Sequence, residues 1–299
     1  RGAAPFMTPS PADSIRRVAV LGAGTMGHGI AHVAALAGYA VSLYDLNDDL
    51  TAAGLAKIRA NLDKGVERGK VTAADRERAL ASIATTSDLA AAVSDAGLII
   101  EAVPERLDLK REIFGKMDAL GPKGAILASN TSSLSLTKIA ASVARPERVV
   151  GIHFFNPPHI MKLVEIVRAD QSSDETVEAA VAVARKMGKE TIVVKDVPGF
   201  ATSRLGVALG LEAMRMVEQG VASPEDIDKA MELGYGHPMG PLRVSDLVGL
   251  DIRMAIAEGL HKELGYDHFD PPAILREKVK AGKLGRKSGE GFYKWPREK

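Results

Sequence analysis

The 299-residue sequence predicts an α/β protein, with a doubly wound and mainly parallel sheet in its N-terminal part and an all-helical C-terminal part. Three observations predict this class. Up to about residue 200, short apolar runs alternate with helix-compatible segments, as in sheets that helices cover on both faces. The first apolar run ends in glycines, and a helical segment follows them. Farther along, apolar residues recur at three- and four-residue spacing, which is typical of amphipathic helices. We therefore place the two domains at residues 14–200 and 201–299.

Seven apolar runs predict the strands of the sheet. In chain order they are RRVAVLGAG (16–24), YAVSLYD (39–45), GLIIEAVPE (97–105), AILASNTS (125–132), RVVGIHFFN (148–156), KLVEIV (162–167) and ETIVVKD (190–196). The helical domain is predicted from ATSRLGVALGLEAMRMVEQG, SPEDIDKAMELG and VSDLVGLDIRMAIAEGLHKELG. Ser223 stands directly before Pro224, so we expect Ser223 to cap a helix that begins with proline.

Composition narrows the classes of function. The chain has 39 basic and 38 acidic residues and no basic block interleaved with aromatics, so we expect no nucleic-acid partner. It has no apolar run of transmembrane length, so we expect no membrane insertion. The absence of cysteine excludes disulfides and thiolate metal sites and fits a cytoplasmic location, and we expect no bound metal. Residues 1–13 lack the apolar core of a signal peptide and are expected to form a loose leader.

A glycine-rich turn follows the first predicted strand. Its GxGxxG pattern opens a helical segment; the first glycine permits a tight turn, the second lets a pyrophosphate approach the backbone, and the third lets helix and strand pack closely. Asp45 follows 18 residues after the last glycine, where a carboxylate accepts ribose hydroxyls and repels a 2′-phosphate. The alternative is an ordinary strand-to-helix turn. The pattern favours NAD, with candidate ligands Gly22, Gly24, Thr25, Met26, Gly27 and Asp45.

His153 is the candidate base for an alcohol oxidation. It ends a predicted strand at the carboxyl edge of the sheet, where open α/β sheets bind ligands. If residues 157–161 form a turn, antiparallel pairing places His153 opposite Glu165, with a Cβ separation of about 4.5–5.5 Å. Imidazole titrates near neutral pH, and Glu165 would hold its tautomer. The alternative is a buried histidine with a structural partner. His159, at the apex of the turn, is expected to be a solvent-exposed loop residue.

Two further groups of polar residues are candidates for binding. In SNTSSLSL, Asn130 and Ser132 follow a predicted strand and offer neutral donors for a substrate oxygen, although such residues often only cap a helix. A helical reading of residues 55–68 places Asn61, Lys64 and Arg68 on one face. That face suits the phosphates of a large anionic substrate, and a solvated charged face is an equal alternative.

These motifs together resemble the 3-hydroxyacyl-CoA dehydrogenase family, and within it the bacterial enzymes that act on 3-hydroxybutyryl-CoA. The resemblance runs from about Arg17 to Trp295, and HFFNP with a following MKLVE, joined to SNTSSL, is its most specific part. It implies a Rossmann-type N-terminal domain and NAD-dependent oxidation of an L-3-hydroxyacyl-CoA to the 3-ketoacyl-CoA. It also implies a homodimer assembled through the helical domain.

The resemblance also assigns roles to individual residues. It places the catalytic histidine and its orienting glutamate on His153 and Glu165. The implied substrate-side residues are Ser132 and Asn156, the implied cofactor contacts include Glu105, Lys110 and Ser132, and the CoA contacts fall on Asn61, Arg68 and Ser132. Asn130 joins the cofactor candidates through its place after the predicted strand, where the nicotinamide ring would lie. The chain departs from the family at Ser203, where an asparagine is usual before the arginine; this substitution puts substrate orientation by the helical domain in doubt and leads to the hypothesis of a different acyl preference.

Two other functions remain open from the residues alone. One is a dehydrogenase of a free 3-hydroxy acid, which would have little use for the face with Asn61, Lys64 and Arg68. The other is a non-catalytic NAD-binding protein, and the presence of His153, Glu165 and Ser132 together counts against it.

Overall fold

Buried aliphatic residues of the first apolar run form the central strand β1 (Arg17–Leu21), in which Val18 to Leu21 have no exposed surface. The structure is a computed structural model that describes residues 14–296, and the predicted leader at residues 1–13 lies outside the described residues. The chain divides into two compact units between Asp196 and Val197. No helix in the described part of the chain is long and apolar enough to cross a membrane.

The first unit is built on one eight-stranded sheet with the order β3-β2-β1-β4-β5-β6-β7-β8. The pairings are parallel except between β6 and β7, which run antiparallel. The order reverses between β1 and β4, so the sheet is doubly wound and the predicted fold class is confirmed. The remaining strands are β2 (Ala40–Tyr44), β3 (Ile83–Thr86), β4 (Leu98–Glu101), β5 (Ile126–Ser129), β6 (Val149–Phe154), β7 (Leu163–Arg168) and β8 (Glu190–Lys195).

Strand β3 is absent from the sequence prediction. Its four residues, IATT, form the edge of the sheet beside β2, and none of them is fully buried. A short edge strand needs no apolar run because only one of its sides pairs with a neighbour. The seven predicted runs correspond to the other strands.

Helices pack on the sheet of the first unit. Capping residues set several of their starts: Asn47 accepts a hydrogen bond from Leu50 N at 3.0 Å, and Ser173 accepts one from Thr176 N at 3.2 Å. Acidic residues in the first turns favour the positive ends of the helix dipoles. The helices are α1 (Gly27–Leu36), α2 (Asp48–Glu67), α3 (Ala73–Ala81), α4 (Leu89–Val93), α5 (Leu107–Leu120), α6 (Leu136–Ala140) and α7 (Asp174–Lys186).

The second unit is helical, as predicted, and has its own core around Val207, Leu211, Met214 and Leu250. The predicted cap at Ser223 is confirmed, because its side chain accepts a hydrogen bond from Asp226 N at 3.1 Å in front of Pro224. The helices are α8 (Thr202–Glu218), α9 (Pro224–Lys229), α10 (Pro241–Val248), α11 (Leu250–Leu264) and α12 (Ala273–Lys280).

Candidate active site

A cleft of about 310 Å³ opens at the carboxyl edge of the sheet, beside the point where the strand order reverses. Loops that follow β1, β4, β5 and β6 contribute its walls, because parallel strands deliver their carboxyl ends to one edge. Seven of the residues predicted for the site line this one cleft, although they come from distant parts of the sequence. They are Met26, Glu105, Lys110, Asn130, Ser132, His153 and Asn156.

The strand pairing that the sequence predicts between His153 and Glu165 is present. The two residues are direct partners in the ladder of β6 and β7, and His153 Nδ1 lies 2.8 Å from Glu165 Oε2. Glu165 is fully buried and His153 is 6% exposed, so little water competes for this contact. A buried carboxylate at Nδ1 favours the tautomer that carries its proton there, which leaves Nε2 with a lone pair. The pair therefore has the geometry of an oriented base.

Neutral polar groups surround the imidazole in the cleft. Asn130 accepts a hydrogen bond from Phe154 N at 2.9 Å through its Oδ1 atom, so the loop after β5 is fixed to β6. Asn156 and Ser132 are exposed and line the cleft. Amide and hydroxyl donors can polarise a ligand oxygen without adding a charge beside His153.

The glycine loop after β1 fits a dinucleotide phosphate. Gly22 has φ +103°, and a Cβ there would lie 2.7 Å from Ala102 O. At Gly27 a Cβ would lie 1.6 Å from Gly22 O, so this position excludes every other residue while the loop keeps its path. A Cβ at Gly24 would meet nothing within 4 Å, and Thr25 beside it is exposed. The loop leaves open space where α1 begins, as a phosphate at a helix N-terminus requires.

Asp45 holds the glycine loop from the end of β2. Its Oδ2 accepts a hydrogen bond from Ala23 N at 2.8 Å, and its Oδ1 accepts one from Leu46 N at 2.7 Å. A carboxylate keeps further lone pairs when it accepts one bond on each oxygen. Asp45 therefore sits beside the loop with acceptor capacity that ribose hydroxyls can use.

Glu105, which is exposed at the cleft, and the buried Lys110 belong to an ionic network that also contains the buried Glu101, which the sequence prediction missed. Lys110 Nζ lies 2.6 Å from Glu101 Oε1 and 3.2 Å from Glu105 Oε2. Glu101 also accepts from Ser129 Oγ at 2.7 Å, and Glu105 accepts from Ser132 N at 3.1 Å. An acidic residue that ends an otherwise apolar run, as Glu101 does in LIIE, is the signal that could have found it.

The network fixes the charge of Glu105. Burial acts to raise the pKa of Glu105, but the charge of Lys110 and hydrogen bonds from Thr131 and Ser133 outweigh it, so the pKa lies below its ordinary value. Glu105 is thus a carboxylate that ties the Ser132 loop to α5. Its ion pair with Lys110 and its hydrogen bond from Ser132 N together hold this loop in position.

A second cavity, of about 430 Å³, lies between α1 and α2. It brings together Asn61, Lys64 and Arg68, the predicted face for phosphates, and Lys70 adds a third cationic side chain that the sequence prediction did not include. Two histidines, His32 and His159, complete the polar lining. The three predicted residues therefore border one concave space, in which Lys64 and Arg68 are exposed to solvent.

The prediction that His159 is solvent-exposed is wrong. Its ring is half-buried and stacks on His32, with 5.2 Å between ring centroids and 8° between planes. The turn that carries it is anchored by Lys189, which donates to Met161 O at 2.9 Å and also contacts Pro158 O. The sequence does not reveal this because α1 and Lys189, which fold over the turn, are far from it along the chain.

Acidification is expected to destabilise the protein through His32. Burial, with the nearby charges of His159, His28 and Lys189, lowers the pKa of His32 from 6.5 to about 4. The unfolded chain therefore binds the proton first, and the stability that neutral His32 contributes is complete above pH 6.5 and is lost as the pH falls toward 4. When the pH falls from 7 to 5, we expect the free energy of unfolding to decrease by about 2 kcal/mol because of His32.

Urea unfolding at pH 7 and pH 5 measures this cost when wild type is compared with His32→Gln, which keeps a polar side chain that does not titrate. The variant should lose less stability on acidification than wild type does. An equal loss in both proteins would show that His32 does not titrate in this range.

Ser203 lies in the first turn of α8 in the helical unit and is half-buried. It belongs to the second compact unit, whereas the other predicted site residues belong to the first.

Comparison with known proteins gives consistent matches along nearly the whole described chain. Residues 17–197 match the model of the NAD binding domain of 3-hydroxyacyl-CoA dehydrogenases, and residues 199–295 match that of their C-terminal domain. The chain is similar to the probable 3-hydroxybutyryl-CoA dehydrogenase of Bacillus subtilis, with 45% identity over 93% of this chain and 97% of the relative. It is also 46% identical to the 3-hydroxybutyryl-CoA dehydrogenase of Mycobacterium tuberculosis, over 94% of this chain and 99% of that protein.

Solved structures agree in fold. The crystal structure of (S)-3-hydroxybutyryl-CoA dehydrogenase from Ralstonia eutropha matches with a TM-score of 0.90 and 41% identity. The match covers 95% of this chain and all of that one.

Proposed function

The chain belongs to the 3-hydroxyacyl-CoA dehydrogenase family and is an NAD-dependent dehydrogenase, and from this premise we propose that it oxidises L-3-hydroxyacyl-CoA thioesters, 3-hydroxybutyryl-CoA among them, with His153 as the base. The observation that carries the proposal is the buried contact between His153 and Glu165 in the cleft that also receives the glycine loop. A base and a dinucleotide loop at one sheet edge are what an alcohol dehydrogenation requires.

Proton transfer falls to His153. In the oxidation, Nε2 takes the proton of the C3 hydroxyl group, and in the reverse reaction it returns that proton to the ketone oxygen. Glu165 holds Nδ1–H and stabilises the imidazolium, because its carboxylate is buried 2.8 Å away. Bound NAD⁺ supplies the hydride acceptor.

The neutral donors of the cleft orient the substrate oxygen. Ser132 and Asn156 line the cleft beside His153 and can donate to the C3 oxygen or to the thioester carbonyl. Asn130 uses its Oδ1 atom to accept from Phe154 N, so its NH₂ group is turned to other acceptors and suits the cofactor side of the cleft. In this proposal the ion pair of Glu105 and Lys110 lines the cofactor site and holds its walls in position.

The second cavity receives the CoA phosphates in this proposal. Lys64, Arg68 and Lys70 supply cations and Asn61 supplies an amide, all bordering one space. Arginine and lysine bind phosphate oxygens through charge-assisted hydrogen bonds. A free 3-hydroxy acid has no phosphate, so this cavity favours a CoA thioester. Assembly as a homodimer through the helical unit, with Ser203 as a substrate residue, completes the proposal.

NADH oxidation with acetoacetyl-CoA tests the substrate class, with acetoacetate and NADPH as the comparison substrates. We expect turnover with acetoacetyl-CoA and NADH, and we expect kcat/KM to be at least about 100-fold lower with acetoacetate, since the free acid lacks every phosphate contact. We expect Asp45 to make NADPH a poor substitute for NADH.

Other outcomes would separate the alternatives. Equal use of acetoacetate would remove the CoA assignment and favour a dehydrogenase of free 3-hydroxy acids. Binding of NADH without turnover of either ketone would favour a non-catalytic NAD-binding protein.

A further inference from the structure

The second cavity, between α1 and α2, has positive groups in its lining and no carboxylate. Lys64, Arg68 and Lys70 border it, and within residues 14–296 none of these three side chains makes an ion pair. Asp63, on the same helix as Lys64, is used elsewhere, because it pairs with Arg76 at 2.5 Å. Unpaired cations around one concave space attract an anionic ligand.

Two stacked histidines form another part of this lining. His32, on α1, is 3% exposed, and its ring stacks on the ring of His159, which belongs to the turn between β6 and β7. The Nδ1 atom of each ring is buried without a partner, and neither ring makes a hydrogen bond to any residue that the structure describes. Buried polar nitrogens without a partner are costly to a fold. The pair is therefore suited to a ligand group in the cavity that it lines.

The charges that act on the histidine pair are positive. Burial first, and then the charges of neighbouring groups that include His28 and Lys189, lower the pKa of both His32 and His159. Glu67, at the end of α2, is exposed and lies outside the lining. Helix α3 also packs against α1, but its charges are taken up in ion pairs, namely Asp75 with Arg78, and Arg76 with Glu77 and Asp63. Both rings are therefore mainly neutral at pH 7, and only an anion could reverse this.

We propose that the His32–His159 pair takes up one proton from solvent when a phosphate dianion binds in the second cavity, so that this cavity recognises the phosphomonoester of a CoA substrate. The inference rests on the proposed function, which places the CoA phosphates in this cavity. CoA carries one phosphomonoester besides its pyrophosphate, and a monoester with a second pKa of about 6 is mainly a dianion at pH 7.

The physical reason is the opposite effect of a dianion on the imidazoles. A negative charge close to an imidazole raises its pKa, so the bound phosphate counteracts the surrounding cations. One imidazolium then repels a second proton on the stacked ring, whose centroid lies 5.2 Å away, and this repulsion limits the uptake to one proton. Because the coupling is reciprocal, a lower pH also tightens the binding of the phosphate.

Calorimetric titration with CoA at pH 7, in two buffers of different ionisation enthalpy, measures the protons that are taken up. Wild type should take up about 0.3–1 proton per CoA bound. A phosphomonoester held by lysine and arginine alone would instead release about 0.1 proton, because about a tenth of it is still singly protonated at pH 7. Dephospho-CoA, which lacks the monoester, should bind without proton uptake.

Variants assign the proton to the histidines. The double variant His32→Gln/His159→Gln should bring the uptake with CoA to zero or below, and His159→Gln alone should reduce it. From pH 8 to pH 6.5 the Kd for CoA should fall by about 3- to 10-fold in wild type and by less than about 2-fold in the double variant. His268→Gln, at an exposed histidine of the helical unit, is the matched control and should behave as wild type. If the double variant does not fold, the comparison of CoA with dephospho-CoA in wild type decides the matter.

Each other outcome has a distinct meaning. Binding of CoA to wild type without proton uptake would overturn the inference and leave the proposed function intact. Equal uptake with CoA and dephospho-CoA would overturn the role of the phosphomonoester. Unchanged uptake in the double variant would overturn the role of the two histidines. Neither binding of CoA nor turnover of any CoA thioester would overturn the proposed function itself.

Discussion

His153→Ala is expected to lower kcat for the oxidation of 3-hydroxybutyryl-CoA by about 10²–10⁴-fold, the usual scale for a general acid–base group, with NADH affinity nearly unchanged. The reason is that Nε2 of His153 carries the lone pair that accepts the substrate proton, because Glu165 holds the ring's own proton on Nδ1. Steady-state kinetics give kcat and KM, and fluorescence titration with NADH measures whether the cofactor still binds.

Two companion variants make this result specific. Glu165→Gln should also lower kcat, because the amide no longer stabilises the imidazolium, while the strand pairing of β6 and β7 is kept. His268→Ala, a change at an exposed histidine of the helical unit, should have near-normal kinetics. If His153→Ala turned over at nearly the wild-type rate, the base would have to be another group.

Gly27→Ala is expected to have the second largest effect. Its Cβ would lie 1.6 Å from Gly22 O, and the clash is with backbone, so the loop must move. We expect a loss of about 1–3 kcal/mol or more in the free energy of unfolding, as for overpacked sites. NADH affinity should fall by about 10- to 100-fold, which corresponds to the loss of a well-placed phosphate contact. Thermal unfolding and NADH titration measure the two effects.

Gly24→Ala is the matched control for this loop. A Cβ at Gly24 would meet nothing within 4 Å, so the variant should keep wild-type stability. It should nevertheless bind NADH more weakly, because the new methyl group occupies the space left for the pyrophosphate. Equal NADH affinity in Gly24→Ala and wild type would mean that the pyrophosphate of the cofactor does not bind beside Gly24.

The sequence predicted the centre of the site because its geometry is local or follows a fixed period. The glycine loop lies within six consecutive residues, and the pairing of His153 with Glu165 follows from counting along two strands that a short turn joins. The buried strands β1 and β4 could be predicted equally well, because a strand with helices on both faces of its sheet requires a continuous apolar run.

Other parts depend on contacts between distant segments and could not be predicted in the same way. Glu101 looks like a residue at the end of a strand until α5 brings Lys110 to it. His159 looks like the apex of an exposed turn until α1 places His32 against it. Arg253 lies on α11, an amphipathic helix, where an arginine is normally read as solvent-facing, but α8 packs against it and it is only 5% exposed. In each case the deciding partner lies on another element.

A single-turnover experiment tests the central claim most directly, namely that His153 at this sheet edge moves the proton while hydride passes between NADH and a CoA thioester. Protein bound to NADH is mixed rapidly with acetoacetyl-CoA, and the absorbance of NADH is followed in wild type and in His153→Ala. The account predicts a fast decay in wild type, and in the variant a decay that is slower by about 100-fold or more although NADH is bound. Equal decay rates in the two proteins, or no decay in wild type, would contradict it.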